Sequence, residues 1–188
     1  MVEAAPFTVN LAPVSRSTIA TWLRRRSAGL PAWADPSLRL LPPRCLFCGQ
    51  RADLGRVDLC SDCLDVLPWR EVPGDRGDAR ALQSKDDESE TNDGQGMLIE
   101  PVSMVIPFDY AAPVDAALRD LKFHGDLAPA RLFGALLAAV AVARGPIPDL
   151  VVPIPLHVDR LHERGFNQAA HLARALARWL GCLCAPQL

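Results

Sequence analysis

The chain has 188 residues, of which 49% are hydrophobic, and its 20 basic and 22 acidic side chains give a net charge of −2. This length fits one domain plus a small module, and the charge balance argues against a polycationic nucleic-acid-binding chain. The sequence contains neither a basic start followed by an apolar h-region nor a run of about 18 apolar residues, so no signal peptide and no membrane span are predicted. Six cysteines in such a chain favour a cytoplasmic protein with a metal site or free thiols over disulfides.

Residues 1–40 are predicted to be an N-terminal extension that is partly helical. One face of this helix carries Ile19, Trp22, Leu23 and Arg26. A basic amphipathic helix can contact a membrane or DNA, or it can dock on its own domain. Docking is the favoured interpretation, because an isolated helix of this length is marginally stable.

Residues 41–69 carry two Cys-x-x-Cys pairs, Cys45 with Cys48 and Cys60 with Cys63, which are separated by eleven residues. This spacing is typical of a zinc ribbon, in which each pair presents two thiolates to one ion and the four complete a tetrahedral shell. The alternative is four ordinary buried cysteines. A closed shell of four thiolates has no open position, so the predicted zinc would be structural rather than catalytic. Apolar residues predicted to cover this module are Leu59, Leu64, Val66, Leu67 and Trp69.

Residues 70–97 are acidic and rich in Gly, Asp and Ser. They contain too little apolar surface to order themselves, so they are predicted to form a disordered linker. The remaining residues, 98–188, are predicted to begin with a strand from Val102 to Tyr110. Two helices should follow, one from Pro113 to near Gly125 and one, apolar on most sides and buried against a sheet, over about 128–143.

The stretch from Asp149 to Gly181 changes its periodicity. Leu150–Val152 form a short apolar run that predicts a buried strand, and a charged loop follows. The apolar spacing then becomes that of a helix, with Asn167 where an N-cap belongs and Gly181 where the helix should end. A strand, a loop and a helix form the first half of a βαβ unit. Beyond it, Cys182 and Cys184 are predicted to be buried in a further strand.

The loop between this strand and helix is a candidate anion site. Ligands of open α/β sheets bind beyond the carboxyl ends of the strands, where this loop places Arg160 and Arg164 beside the free N–H groups of a helix N-terminus. Two guanidinium groups suit a phosphate or pyrophosphate. The alternative is that both arginines are merely solvated.

These residues also carry a resemblance. This part of the chain resembles the ComF family of competence-associated, phosphoribosyltransferase-like proteins. The resemblance rests on the string VVPIPL, Arg160, the string RGFNQ that begins at Arg164, and the helix of small residues that follows. The resemblance extends over residues 107–137 and the four cysteines. It implies a phosphoribosyltransferase-like (Rossmann-like) α/β fold, with a parallel sheet and pyrophosphate-binding residues Arg160, Arg164, Gly165 and Asn167. The family's LKF string is present around Lys122, to which spacing assigns no chemistry.

The sequence departs from the family pattern in two respects. No cysteine lies between Cys63 and Cys182, where many members have a second knuckle, and no pair of acids followed by a Thr-Thr-Gly turn is present. That loop would hold the ribose and 5-phosphate of phosphoribosyl pyrophosphate, with Mg²⁺ in a complete homologue. Residues 98–188 are therefore interpreted as the front part of such a domain, and the predicted sheet is incomplete.

Two functions follow from the resemblance. The first is an accessory protein of natural transformation that binds nucleic acid or phosphate, with single-stranded DNA and the DNA-uptake machinery as partners. The second is a phosphoribosyltransferase that uses phosphoribosyl pyrophosphate and is inactive in this chain. The binding role ranks higher, because half of the catalytic site is missing.

Overall fold

The computed structural model describes residues 14–28, 43–70 and 105–185. Its helices are α1 (Arg16–Ala28), α2 (Ser61–Val66), α3 (Val114–Arg119), α4 (Ala128–Arg144), α5 (Val158–Arg164) and α6 (Gln168–Leu180); its strands are β1 (Leu150–Val151) and β2 (Leu183–Cys184). A π-helical segment, Asp120–His124, continues α3. The predicted linker from residue 71 onward and the first part of the strand predicted from Val102 lie outside the described residues.

The two strands form a small parallel sheet around α6. Leu150 lies opposite Leu183 and Val151 opposite Cys184, and the Ala185 N–H donates to the Val151 carbonyl at 2.9 Å. Two parallel strands joined through a helix make a βαβ unit. The described chain is therefore mixed, mostly helical, with one two-stranded parallel sheet.

The prediction that the first of these strands is buried is wrong. Leu150 is 50% exposed, and Val152 and Ile154 beyond it are 67% and 79% exposed. The apolar run has the composition of a buried strand, but burial also requires a layer on each face of the sheet. The further strand predicted at Cys182 and Cys184 is present as β2, which contains Cys184 and begins directly after Cys182. Both cysteines are half-buried rather than buried.

The strand predicted over Val102–Tyr110 is not observed in its described part. Residues 105–110 have no regular structure apart from one isolated antiparallel bridge between Trp69 and Phe108. The rings of these two residues pack with their centroids 4.6 Å apart. Phe108 is therefore held against the cysteine module by this packing and by the two hydrogen bonds of the bridge, from the Arg70 N–H to the Pro107 carbonyl at 3.0 Å and from the Asp109 N–H to the Pro68 carbonyl at 2.9 Å.

The predicted helix ends are confirmed for α6. The Asn167 side chain accepts a hydrogen bond from the Ala169 N–H, and Gly181 ends the helix with φ of 80°. That left-handed conformation favours glycine. The buried side chains of α6 are small (Ala170, Ala173 and Ala177) apart from Leu180.

Helix α4 matches its predicted extent and burial, but it packs most closely on α6 rather than on the sheet. The reason is Gly134. A Cβ atom at this position would stand 2.5 Å from the Ala175 Cβ and 2.9 Å from the Leu176 N. The absence of a side chain lets the two helices approach closely.

Helix α1 docks on the rest of the chain, as the sequence analysis favoured. Ile19 and Leu23 are 1% and 0% exposed and belong to the main hydrophobic cluster. The same cluster includes Cys45 and Cys60 from the cysteine module and Leu136 from α4. One continuous core thus joins the N-terminal helix, the cysteines and α4.

Candidate metal centre

The first cysteine pair is formed by a tight turn between two short antiparallel segments. The Cys45 N–H donates to the Gln50 carbonyl at 2.7 Å, and the Gly49 N–H donates back to the Cys45 carbonyl at 2.9 Å. Gly49 has φ of 70°, which the turn requires and which glycine adopts without strain. The turn brings Cys48 to the surface and leaves Cys45 buried.

The second pair lies at the start of α2. Cys60 is the N-cap residue, and its sulfur accepts a hydrogen bond from the Cys63 N–H at 3.4 Å. The helical turn therefore places both thiols on the same side as the first pair. Leu59, Leu64 and Leu67 cover the module as predicted, whereas Val66 is 72% exposed because it lies on the solvent side of this single turn.

The four cysteines meet at one point. The sulfur atoms of Cys45, Cys48, Cys60 and Cys63 all lie within 4.8 Å of one another, and those of Cys48 and Cys60 are 3.6 Å apart. A tetrahedral ion with metal–sulfur bonds of about 2.3 Å needs sulfur–sulfur distances of about 3.8 Å. The donor set and its spacing therefore fit a metal ion.

The surroundings of the thiols shift their pKa values in opposite directions. Burial raises the pKa of Cys45, but backbone groups of Cys48, Cys60 and Phe47 outweigh it and lower this pKa to about 7. For Cys60 and Cys63, burial and the neighbouring cysteine sulfurs raise the pKa. Four thiolates cannot share so small a volume without a cation, since like charges at this distance repel strongly.

Asp53 braces the module, a role that the sequence analysis missed. Its carboxylate accepts hydrogen bonds from the Ser61 N–H at 2.7 Å and the Ser61 hydroxyl at 2.8 Å, and Arg24 of α1 lies 3.2 Å away. The acid between the two cysteine pairs thus ties the start of α2 to the N-terminal helix. Its partners lie 8 and 29 residues away in sequence, so no local pattern predicts them.

The predicted anion-site residues lie on or beside α5 rather than on a loop. His157 caps this helix, and Gly165 ends it with φ of 75°. Arg160 and Arg164 are therefore one helical turn apart and share a face, which is one of the two arrangements that the spacing allows. Arg160 forms an ion pair with Glu163, with 3.0 Å between Nη1 and Oε2.

Arg164 and Asn167 have different surroundings. The Arg164 guanidinium lies over the Phe123 ring, 5.4 Å from its centroid, and its Nε is buried with no hydrogen-bond partner. Asn167 is 7% exposed and uses both ends of its amide: Oδ1 accepts from Ala169 N–H at 2.9 Å and Nδ2 donates to the Ile154 carbonyl at 3.1 Å. Asn167 thus has a structural role, whereas the contact of Arg164 with Phe123 joins the LKF and RGFNQ strings, which the sequence analysis did not pair.

Among residues 14–28, 43–70 and 105–185, no helix combines the length and the apolar character needed to cross a membrane. The described structure is that of a mixed, mostly helical chain with a small parallel sheet and a four-cysteine cluster that could hold a metal ion.

Comparison with known proteins gives matches over part of the chain. It is 41% identical over 80 residues to a protein of Salmonella typhi named DNA utilization protein YhgH, covering 39% of this chain and 35% of that protein. The Escherichia coli K12 protein of the same name is 39% identical over 85 residues, or 42% of this chain and 37% of its own. Competence protein F of Haemophilus influenzae is 28% identical over 144 residues, covering 73% of this chain and 60% of that protein.

These relatives support assignment of the chain to the ComF family, over part of its length. The chain spans about a third to three fifths of the length of the curated relatives that it matches. No protein-family profile matches it, and no solved structure does.

Proposed function

We propose that the metal ion is zinc and that its role is structural. Four cysteine ligands complete a closed tetrahedral shell, and Cys45 and Cys60 belong to the hydrophobic core. Freshly purified protein should contain one zinc per chain, measured by elemental analysis. Cys60→Ser should release the metal and unfold residues of the module, because metal-binding energy is folding energy in such sites. Cys182→Ser is the matched control, and it should leave the zinc content at one per chain.

We propose that the chain acts in DNA uptake as a nucleic-acid-binding or phosphate-binding accessory protein of the ComF type. The observation that carries the proposal is the pairing of the four-cysteine centre with relatives named for competence and for DNA utilization. A stable zinc module attached to a helical body can present a fixed surface to a polyanion. Single-stranded DNA and the uptake machinery are the proposed partners.

The test is made in the competent host from which the gene is taken. Deleting the gene should lower the transformation frequency at least tenfold, and the wild-type gene supplied in trans should restore it. The Cys60→Ser gene should fail to restore it, whereas the Cys182→Ser gene should succeed. Unchanged transformation in the deletion strain would contradict a role in uptake.

A second candidate function is phosphoribosyl transfer from phosphoribosyl pyrophosphate, with Mg²⁺, on a phosphoribosyltransferase-like fold. Two features favour this candidate: the βαβ unit, and the position of Arg164 at the end of α5. We call the connection between α5 and α6 the elbow. The Nε of Arg164 is buried with no hydrogen-bond partner among the described residues, so an anion could reach it only if this side chain moved. The guanidinium carbon of Arg164 lies 5.4 Å from the centre of the Phe123 ring, and a lysine could not reproduce the planar donor set of arginine there.

Pyrophosphate titration followed by NMR amide shifts tests this site. The largest shifts should fall in residues 158–168, and Arg164→Ala should weaken the binding more than Arg119→Ala, whose arginine is already paired with Asp115 in α3. If the amides of residues 158–168 do not move at millimolar pyrophosphate, the elbow is not an anion site. Release of pyrophosphate from phosphoribosyl pyrophosphate would distinguish a transferase from a binding protein.

A further inference from the structure

Helices α1 and α6 hold an unusual share of the positive charge. They contain six arginines and no acidic residue: Arg16, Arg24, Arg25, Arg26, Arg174 and Arg178. The whole chain has a net charge of −2, so the remainder carries −2 − 6 = −8. These two helices therefore carry an excess of positive charge in a chain whose overall charge is negative.

The two helices meet at their C-terminal ends. The Trp22 and Trp179 rings pack with their centroids 5.8 Å apart and their planes at 40°. Next to this pair, the Nε of Arg26 donates to the Trp179 carbonyl at 3.1 Å. We call this region, formed by Arg25, Arg26, Arg178 and the two tryptophans, the α1–α6 corner.

Two arginines of the corner are available to a ligand. Arg25 and Arg178 are exposed, and within the described part of the chain neither has an acidic partner. Two other exposed arginines are paired, Arg24 with Asp53 at 3.2 Å and Arg119 with Asp115 at 2.9 Å. Arg51, Arg70 and Arg174 are also exposed without an acidic partner among the described residues, but they lie outside the corner. Each of these two arginines of the corner lies next in sequence to a residue of the α1–α6 contact, Arg25 to Arg26 and Arg178 to Trp179.

We propose that the α1–α6 corner binds the phosphate backbone of a nucleic acid, with Arg25 and Arg178 as the contacting side chains and Arg26 as the residue that holds the helices together. The proposal rests on the proposed role in DNA uptake and names the surface used. Arginine suits phosphate because its planar donors match two phosphate oxygens. The tryptophans pack on each other and are half-buried, so we expect little preference among bases.

A lipid surface fits the corner less well. Helices that lie on membranes insert an apolar face, and the apolar residues of α1, Ile19 and Leu23, are buried in the protein core. Only the charged side of the helix remains outward. Charge without an insertable face favours a polyanion whose phosphates lie along a chain.

The experiment uses the full zinc-loaded chain and a fluorescein-labelled 20-mer of oligo(dT), with affinity measured by anisotropy at several salt concentrations between 50 and 200 mM. The test variant is Arg25→Ala/Arg178→Ala, and Arg119→Ala is the matched control. The double variant should bind about tenfold more weakly at 50 mM salt. Its plot of log K against log salt should be shallower by about 1.4, or about 0.7 for each lost phosphate contact. The control should retain the wild-type slope, and circular dichroism should show all three proteins folded.

The outcomes separate the corner from the broader function. If the wild type binds oligo(dT) and the double variant shows the same slope of log K against log salt, the corner is not the binding surface. The proposed role in DNA uptake then still stands. If wild type does not bind oligo(dT), the nucleic-acid role and the corner both fail. If the double variant instead loses only binding to vesicles containing phosphatidylserine, the corner is a lipid site and the proposal is overturned.

Discussion

Asn167 offers the sharpest test of how the elbow between α5 and α6 is built. Its Oδ1 caps α6 through the Ala169 N–H, and its Nδ2 holds the Ile154 carbonyl beyond β1. Losing an N-cap costs about 1 kcal/mol, and losing the second hydrogen bond about 1 kcal/mol more. Asn167→Ala should therefore lower the free energy of unfolding by about 2 kcal/mol. For a chain of this size the melting temperature should fall by about 4–8 °C.

The assay is urea denaturation of the zinc-loaded protein, followed by circular dichroism. Asn167→Asp is the matched variant, because it keeps the cap acceptor at a helix N-terminus that favours negative charge but loses the donor to Ile154. Its stability should lie between that of the wild type and Asn167→Ala. A loss of less than about 0.5 kcal/mol in Asn167→Ala would refute the structural role. The residue would then be free to act as the pyrophosphate ligand that the sequence suggested.

Three further predictions concern packing, pH and the acidic segment. Gly134→Ala should destabilise the protein by about 1–2 kcal/mol in urea denaturation, because the added Cβ would clash with α6. This loss should occur although alanine normally favours a helix over glycine. The control is Gly145→Ala, whose added Cβ would meet nothing within 4 Å, and it should change stability by less than about 0.5 kcal/mol. Burial alone would raise the pKa of Asp53, but the hydrogen bonds from Ser61 and the charge of Arg24 outweigh this effect. The net result is a pKa below the ordinary 3.8. This contribution to stability is present above pH 3.8 and is lost as the pH falls through the lowered value, so Asp53→Asn should cost stability at pH 7 and little at strongly acidic pH. Deleting residues 75–94 should leave the melting temperature within about 2 °C of wild type, and a larger fall would show that the segment packs on the fold.

Local signals predicted α3, α4 and α6 well, but the segment that forms α5 was predicted to be a loop. The bounds of α6 follow from Asn167 and Gly181, whose cap geometry depends only on neighbouring residues. The cysteine cluster was also predictable, because two residues between cysteines force each pair into one turn. The predictions that succeeded therefore rest on interactions within about four residues.

Predictions that depended on distant partners fared less well. The run at Leu150 reads as a buried strand, but its exposure depends on which layers cover the sheet. Phe108 lies in a segment that was predicted to be a strand, but it forms only an isolated bridge, with Trp69 of the cysteine module. No periodicity shows that Arg164 lies over Phe123, because the two residues come from separate helices. The phosphoribosyltransferase-like fold and the division at 41–69 and 98–188 remain predictions.

The continuous core around Cys45 and Cys60 has a consequence for how tightly the metal is held. Ile19 and Leu23 belong to the same cluster as Cys45 and Cys60, so we expect metal binding and the docking of α1 to be coupled. A peptide containing only residues 41–69 would lack those side chains, and it should bind zinc more weakly than the whole chain does. Chelation of the metal should in turn loosen α1 and change the fluorescence of Trp22 and Trp179. Because Trp69 lies within the cysteine module, the contribution of the α1–α6 pair is measured in a Trp69→Phe background.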